Sequence, residues 1–172
     1  MEFGYLLCVT TLFLAGCSSE PSAEERAAKE REDAAAIAAV EAAQVPPVEP
    51  VQPQPITFED VEREDLFGAG CDFAMQAGDG RREPIVIAQG EAGYLKLEDR
   101  IQRFAPDAGS GQLPYNAREQ YVSTSRTFRL SVDQEEGRRT GPETTDYPGE
   151  LVVRDQRDRL VYQAKGSVQC GA

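Results

Sequence analysis

Histidine is missing from this chain of 172 residues, and with it the side chain most used for proton transfer near neutral pH. That absence, together with the lack of any Cys-x-x-Cys pair, leaves a zinc or haem site without ligands, and no cofactor or metal is expected. Positive charge is also scarce: 18 Lys and Arg face 30 Asp and Glu, for a formal charge of −12. Such a balance argues against nucleic acid as a partner, because a polyanion repels an acidic surface. It suits a basic protein partner, whose approach it accelerates. Beyond Cys17 no stretch is long and apolar enough to span a bilayer, which takes about 20 residues. Catalytic motifs are lacking too. Ser123-Thr124-Ser125 has no neighbouring base to activate a nucleophile. The acidic run Glu59, Asp60, Glu62, Glu64 and Asp65 lacks the glycine turn of a calcium loop and reads as a solvated helix face.

What is present begins at the N-terminus. Leu6, Leu7, Val9, Leu12, Phe13 and Leu14 form an apolar core too short to cross a membrane, and small residues, Ala15 and Gly16, precede Cys17. Leu14-Ala15-Gly16-Cys17 resembles the lipobox that closes the signal peptide of bacterial lipoproteins. The resemblance implies that residues 1–16 are removed. Cys17 then carries a diacylglycerol and an N-terminal acyl chain such as palmitate, which anchor the protein to a lipid bilayer. One departure is the absence of Lys or Arg before Cys17, where such signals usually carry positive charge. Ser18 stands where an Asp would retain an enterobacterial lipoprotein in the inner membrane. The implied address is therefore the cell envelope, at the outer membrane facing the periplasm.

On that reading four cysteines reduce to two. Cys8 leaves with the signal peptide and Cys17 is acylated, so Cys71 and Cys170 remain and are expected to form a disulfide in an oxidising compartment. Closing a loop of about 100 residues stabilises a fold by roughly 4–5 kcal/mol on the chain-entropy model.

Residues 17–55 read as a stalk. Ala and Glu dominate residues 21–44, Ser22 with Glu25 makes a capping box, and Glu25 with Lys29 and Arg26 with Glu30 are one helical turn apart. Only Ile37 and Val40 are larger apolar residues, so the segment is either a solvated helix or disordered. Pro46, Pro47, Pro50, Pro53 and Pro55 then favour an extended polyproline spacer, a form that an aromatic groove on a partner can also read.

Residues 56–172 read as one all-β domain, a small antiparallel sandwich or barrel with one disulfide. Thr57 with Asp60 caps a short helix over the acidic run. Cys71, Phe73 and Met75 share one face of a strand ending at the turn Gly78-Asp79-Gly80, and Ile85-Val86-Ile87 suits a central strand. Tyr94 to Leu97 and Ile101 to Phe104 flank the turn Glu98-Asp99-Arg100. Tyr121-Val122 and Phe128, Leu130 and Val132 alternate as strands before a polar loop over residues 134–146. Leu151-Val152-Val153 and Leu160-Val161-Tyr162 flank a turn around residues 155–158, and Val168 and Cys170 close the chain. Gly93 and Gly149 each open one of these two hairpins.

Three functions fit this layout. The first is a non-enzymatic binding or structural module that meets an envelope protein or a glycan. The second follows from an outline similar to that of the membrane-bound lysozyme inhibitors, which are lipoproteins with a small β-barrel, terminal cysteines and an acidic surface. Their short Ser- and Lys-bearing inhibitory loops are not legible here, and the run Gln112-Leu113-Pro114-Tyr115-Asn116-Ala117-Arg118 is a distant analogue of one. The third is a glycan-acting enzyme using two carboxylates. A concave pocket with one carboxylate of raised pKa favours the enzyme, and a flat face favours the binding module. The loop pairs Arg81-Arg82 and Arg138-Arg139 are solubilising charges or contacts for an anionic lipid or glycan.

Overall fold

A computed structural model describes residues 21–75 and 82–172. Cys8, the lipobox with Cys17, Ser18, the turn Gly78-Asp79-Gly80 and Arg81 lie outside those residues. The chain divides into two units, residues 1–46 and 47–172.

In the first unit Ala23–Gln44 forms helix α1. Its capping box is the one its residues spell: the Ser22 hydroxyl accepts from Glu25 N–H at 3.2 Å, and the Glu25 carboxylate accepts from Ser22 N–H at 2.7 Å. Lys29 pairs with Asp33 at 3.6 Å, one turn along. No residue of α1 is buried, and Ile37 and Val40 stay exposed, as their isolation on the helix demands.

In the second unit helix α2 (Phe58–Glu64) precedes nine antiparallel strands. These are β1 (Gly70–Ala74), β2 (Pro84–Gln89), β3 (Gly93–Leu97), β4 (Arg100–Pro106), β5 (Gln120–Val122), β6 (Arg126–Val132), β7 (Arg138–Arg139), β8 (Thr145–Asp155) and β9 (Leu160–Gly171). Each of β1 to β5 pairs with the next, β6 pairs with β8, β8 with β9, and β9 returns to β1. The result is an eight-stranded barrel, to which β7 adds a two-residue pairing with the start of β8. Closure leaves no sheet edge along the seam. Cys71 and Cys170 face each other in the register of the closing pair β1–β9 and are joined by a disulfide, 99 residues apart in sequence.

Alternation along the strands fills the interior. Phe73, Val86, Leu95, Phe104, Phe128, Leu130, Leu151 and Val168 are all buried there. Tyr121 stacks on Phe128 with centroids 4.8 Å apart, and Phe104 meets the same ring edge-on at 5.0 Å. Both ends of the barrel are covered. At the end where β2 and β9 begin, residues 51–56 run across as a strap. Val51 N–H donates to Val161 O at 3.1 Å, Gln54 N–H to Lys96 O at 2.9 Å and Ile56 N–H to Pro84 O at 2.7 Å. The second half of the proline-rich run therefore belongs to the barrel. Its prolines hold the backbone extended while the intervening residues donate. At the opposite end, the connection from β4 to β5 turns Leu113 and Ala117 into the core.

Local details depart from the expectations. Met75 does not share the inward face of Cys71 and Phe73; it lies past β1 and is exposed. The register shift beside Phe73 and Ala74 comes from β2, where Ile85 is the extra residue between their partners Val86 and Pro84 and packs into the core. The β3–β4 turn is two residues, Glu98 and Asp99, both at positive φ, and Arg100 already belongs to β4. Gly149 does not open a hairpin. It sits inside β8 opposite Gly166, where an added Cβ would meet Val168 Cγ2 at 2.5 Å. Much of the expected loop over residues 134–146 is structured as a 3₁₀ turn (Gln134–Glu136) and β7, and β8 begins at Thr145.

Candidate functional site

With the interior filled and both ends covered, concave surface remains on the outer wall. Helix α2 and the chain after it lie against β1 and β2. Thr57 caps α2 by a reciprocal box with Asp60, whose amide donates to Thr57 Oγ1 at 3.2 Å. Asp60 is 3% exposed, and its carboxylate accepts from Lys96 at 2.6 Å and from Arg63 at 2.5 Å. The Lys96 hydrogen bond comes first among the causes holding this carboxyl well below the usual range, followed by the Thr57 backbone bond. So one residue of the acidic run does not belong to a solvated face; it fastens α2 to β3. Asp65, at φ 52, ends the helix, and the buried Leu66 then follows, its carbonyl accepting from Gln89 Nε2 at 2.9 Å.

This arrangement leaves a groove of about 340 Å³. Val61, Leu66 and Phe67 line one side, and Asp72, Ile87 and Gln169 line the barrel wall. Phe67 is 59% exposed and meets Phe58, 68% exposed, edge-to-face at 6.3 Å. Sequence reading passed over both rings. The available signal was Phe58 directly after the Thr57 cap, in a helix too short to bury it.

Register sets the polar floor. Ile87, Asp72, Gln169, Asp146 and Arg138 are successive neighbours across β2, β1, β9, β8 and β7. Asp72 Oδ1 accepts from Arg82 Nη2 at 2.5 Å. The same guanidinium donates to Asp72 O at 2.9 Å and Ser167 O at 3.3 Å, and its buried Nε has no partner. Burial raises the Asp72 carboxyl to about 6, with the Asp146 charge adding to the rise and Arg82 opposing it. Gln169 Nε2 donates to Asp146 Oδ1 at 2.7 Å.

Asp146 opens on a different hollow of about 840 Å³, lined also by Glu135, Glu136, Arg138, Tyr147 and Ser167. Gln169 stands between the two carboxylates in the register, so they line separate hollows and do not converge on one cleft. Of the loop arginines, Arg82 is bound to Asp72, Arg139 donates to the carbonyls of Gly141 and Pro142, and Arg138 lines the second hollow. The run Gln112 to Arg118 turns inward at Leu113 and Ala117, leaving Tyr115 and Asn116, both at positive φ, at its exposed apex. Ser123 closes the β5–β6 turn, its hydroxyl donating to Arg126 O at 2.9 Å. Comparison with known proteins finds no matching family model, no matching curated protein and no matching solved structure.

Proposed function

We propose that this chain is a lipid-anchored, non-enzymatic protein of the bacterial cell envelope whose barrel offers the outer-wall groove to a partner. The observation that carries the binding role is the filled barrel. Its interior holds side chains and its ends are covered, so recognition moves outward to the groove beside Phe58 and Phe67. The anchor rests on the lipobox resemblance at Leu14-Ala15-Gly16-Cys17 and the address on Ser18. Among the described residues no helix is long and apolar enough to cross a membrane, and the proposed attachment is through acylated Cys17.

A second reading, the carboxylate-dependent enzyme, draws support from Asp72, a carboxylate of raised pKa in a concave site. Against it, Asp72 is engaged by Arg82, and Asp146 faces the other hollow. The inhibitor-like reading rests on the run Gln112 to Arg118, whose Leu113 and Ala117 are buried while Tyr115 and Asn116 stay exposed at its apex.

The test places a photo-reactive residue at Phe67 in cells, with a control at exposed Arg129 on β6. One dominant product at Phe67 and none at Arg129 is expected; equal capture at both overturns the groove assignment. Cys17→Ala should abolish labelling by a palmitate analogue and release the protein from membranes. A variant still labelled and membrane-bound refutes the anchor.

A further inference from the structure

We propose that the groove accepts a basic segment of a polypeptide partner, its Lys or Arg head set against Asp72 and an apolar neighbour laid on Phe58 and Phe67. This rests on the groove reading above and adds the chemistry of the occupant. Val61, Leu66, Phe67 and Ile87 make the walls apolar, and about 340 Å³ is at the small end of ligand sites. That volume takes one or two side chains of a longer segment. The amides on the floor are already used: Gln89 Nε2 binds Leu66 O and Gln169 Nε2 binds Asp146. Asp72 is the carboxylate side chain of the lining; Arg82 engages its Oδ1, and Oδ2 has no partner among the described residues.

Charge complementarity identifies the occupant. Exposed carboxylates flank the lining in sequence: Asp65 beside Leu66, Glu83 beside Pro84 and Glu143 beside Thr144. Among the described residues the cation bound at the floor is Arg82, which is committed to the Asp72 carboxylate and to the carbonyls of Asp72 and Ser167. These carboxylates and the acidic balance of the chain, net charge −12, favour a cationic segment over an acidic one. The two exposed phenyl rings at the rim add apolar contact and cation–π attraction for Lys or Arg.

The experiment uses the full-length protein and a dye-labelled amphipathic Lys/Leu peptide, with its Glu/Leu counterpart as control. Three variants are compared: Phe58→Ala with Phe67→Ala, Asp72→Asn, and Glu135→Gln with Glu136→Gln in the other hollow. The aromatic pair and Asp72→Asn should each weaken binding about tenfold, while the Glu135/Glu136 variant changes it less than about twofold. A cooperative melting transition well above the assay temperature confirms that each variant is folded. Equal losses in all three variants mean diffuse attraction and overturn the proposal, as does equal binding of the Glu/Leu peptide. In cells, the chain crosslinked at Phe67 is sequenced, and Lys or Arg at the crosslinked site is the expected result. A glycan or an acidic segment there overturns this inference while leaving the groove assignment intact. No product at Phe67, with capture at Arg129, removes the groove assignment itself.

Discussion

Gly93 shows how closely single residues are constrained in this barrel. An added Cβ would lie 2.5 Å from Phe128 Cζ and 2.7 Å from Tyr121 Cδ1, and both rings are fully buried in a stacked pair. Gly93→Ala should therefore destabilise the fold by about 1–3 kcal/mol in urea denaturation; a negligible change would show that the rings yield. Asp72 ties a residue to pH. A carboxyl raised from 3.8 to about 6 by burial binds its proton more tightly folded than unfolded. Stability from this group is full below the unfolded value, declines as pH rises from 3.8 to about 6, and is level above that. The stability difference between the native chain and Asp72→Asn should thus vary across that window and stay constant above it. A difference independent of pH would refute the raised value. Asp155 works in the opposite sense. The Arg159 side-chain hydrogen bond, foremost, and backbone N–H donors from Arg159 and Arg157 pull it down to about 2. Its contribution is present above 3.8 and lost as pH falls toward about 2.

At the scale of elements, α2 is held by few bonds, and they converge on Asp60. Lys96 reaches it from β3, so Lys96→Met removes the tie between helix and barrel while keeping the stem. Asp60 retains Arg63 and Thr57, so the expected loss is moderate, about 1–3 kcal/mol. Faster amide exchange confined to α2 should accompany it; unchanged exchange there would mean that Leu66 and Ile56 anchor the segment without Asp60. Both helix caps were legible in sequence because a capping box is a contact between residues three apart. The Glu98-Asp99 turn was legible for a similar local reason. The strap was not. Its proline content announces an extended backbone, but the acceptors on Val161, Lys96 and Pro84 are distant in sequence. The inward turn of Asp60 was hidden in the same way, since its partner Lys96 lies 36 residues on.

For the whole molecule, the disulfide sits on the pair of strands that closes the barrel. Replacing Cys71 and Cys170 by Ala should cost about 2–5 kcal/mol and lower the melting temperature. Amide exchange should rise most in β1 and β9; uniform acceleration would mean that the bond does not act at the seam. Alternating Phe73, Leu95, Phe128, Leu130 and Leu151 made an all-β domain legible, because strand periodicity is written into adjacent residues. The expected pair, Cys71 and Cys170, is the bonded one. Sequence alone thus determined what neighbours along the chain decide: strands, caps and a tight turn. Tertiary structure decided that the sheet closes as a barrel through β1–β9 and β6–β8, and that Asp72, Gln169 and Asp146 line up across three strands. It also decided that Phe58 and Phe67 meet beside a groove. Those relations join residues far apart in the chain, and register, set by packing the core, brings them together.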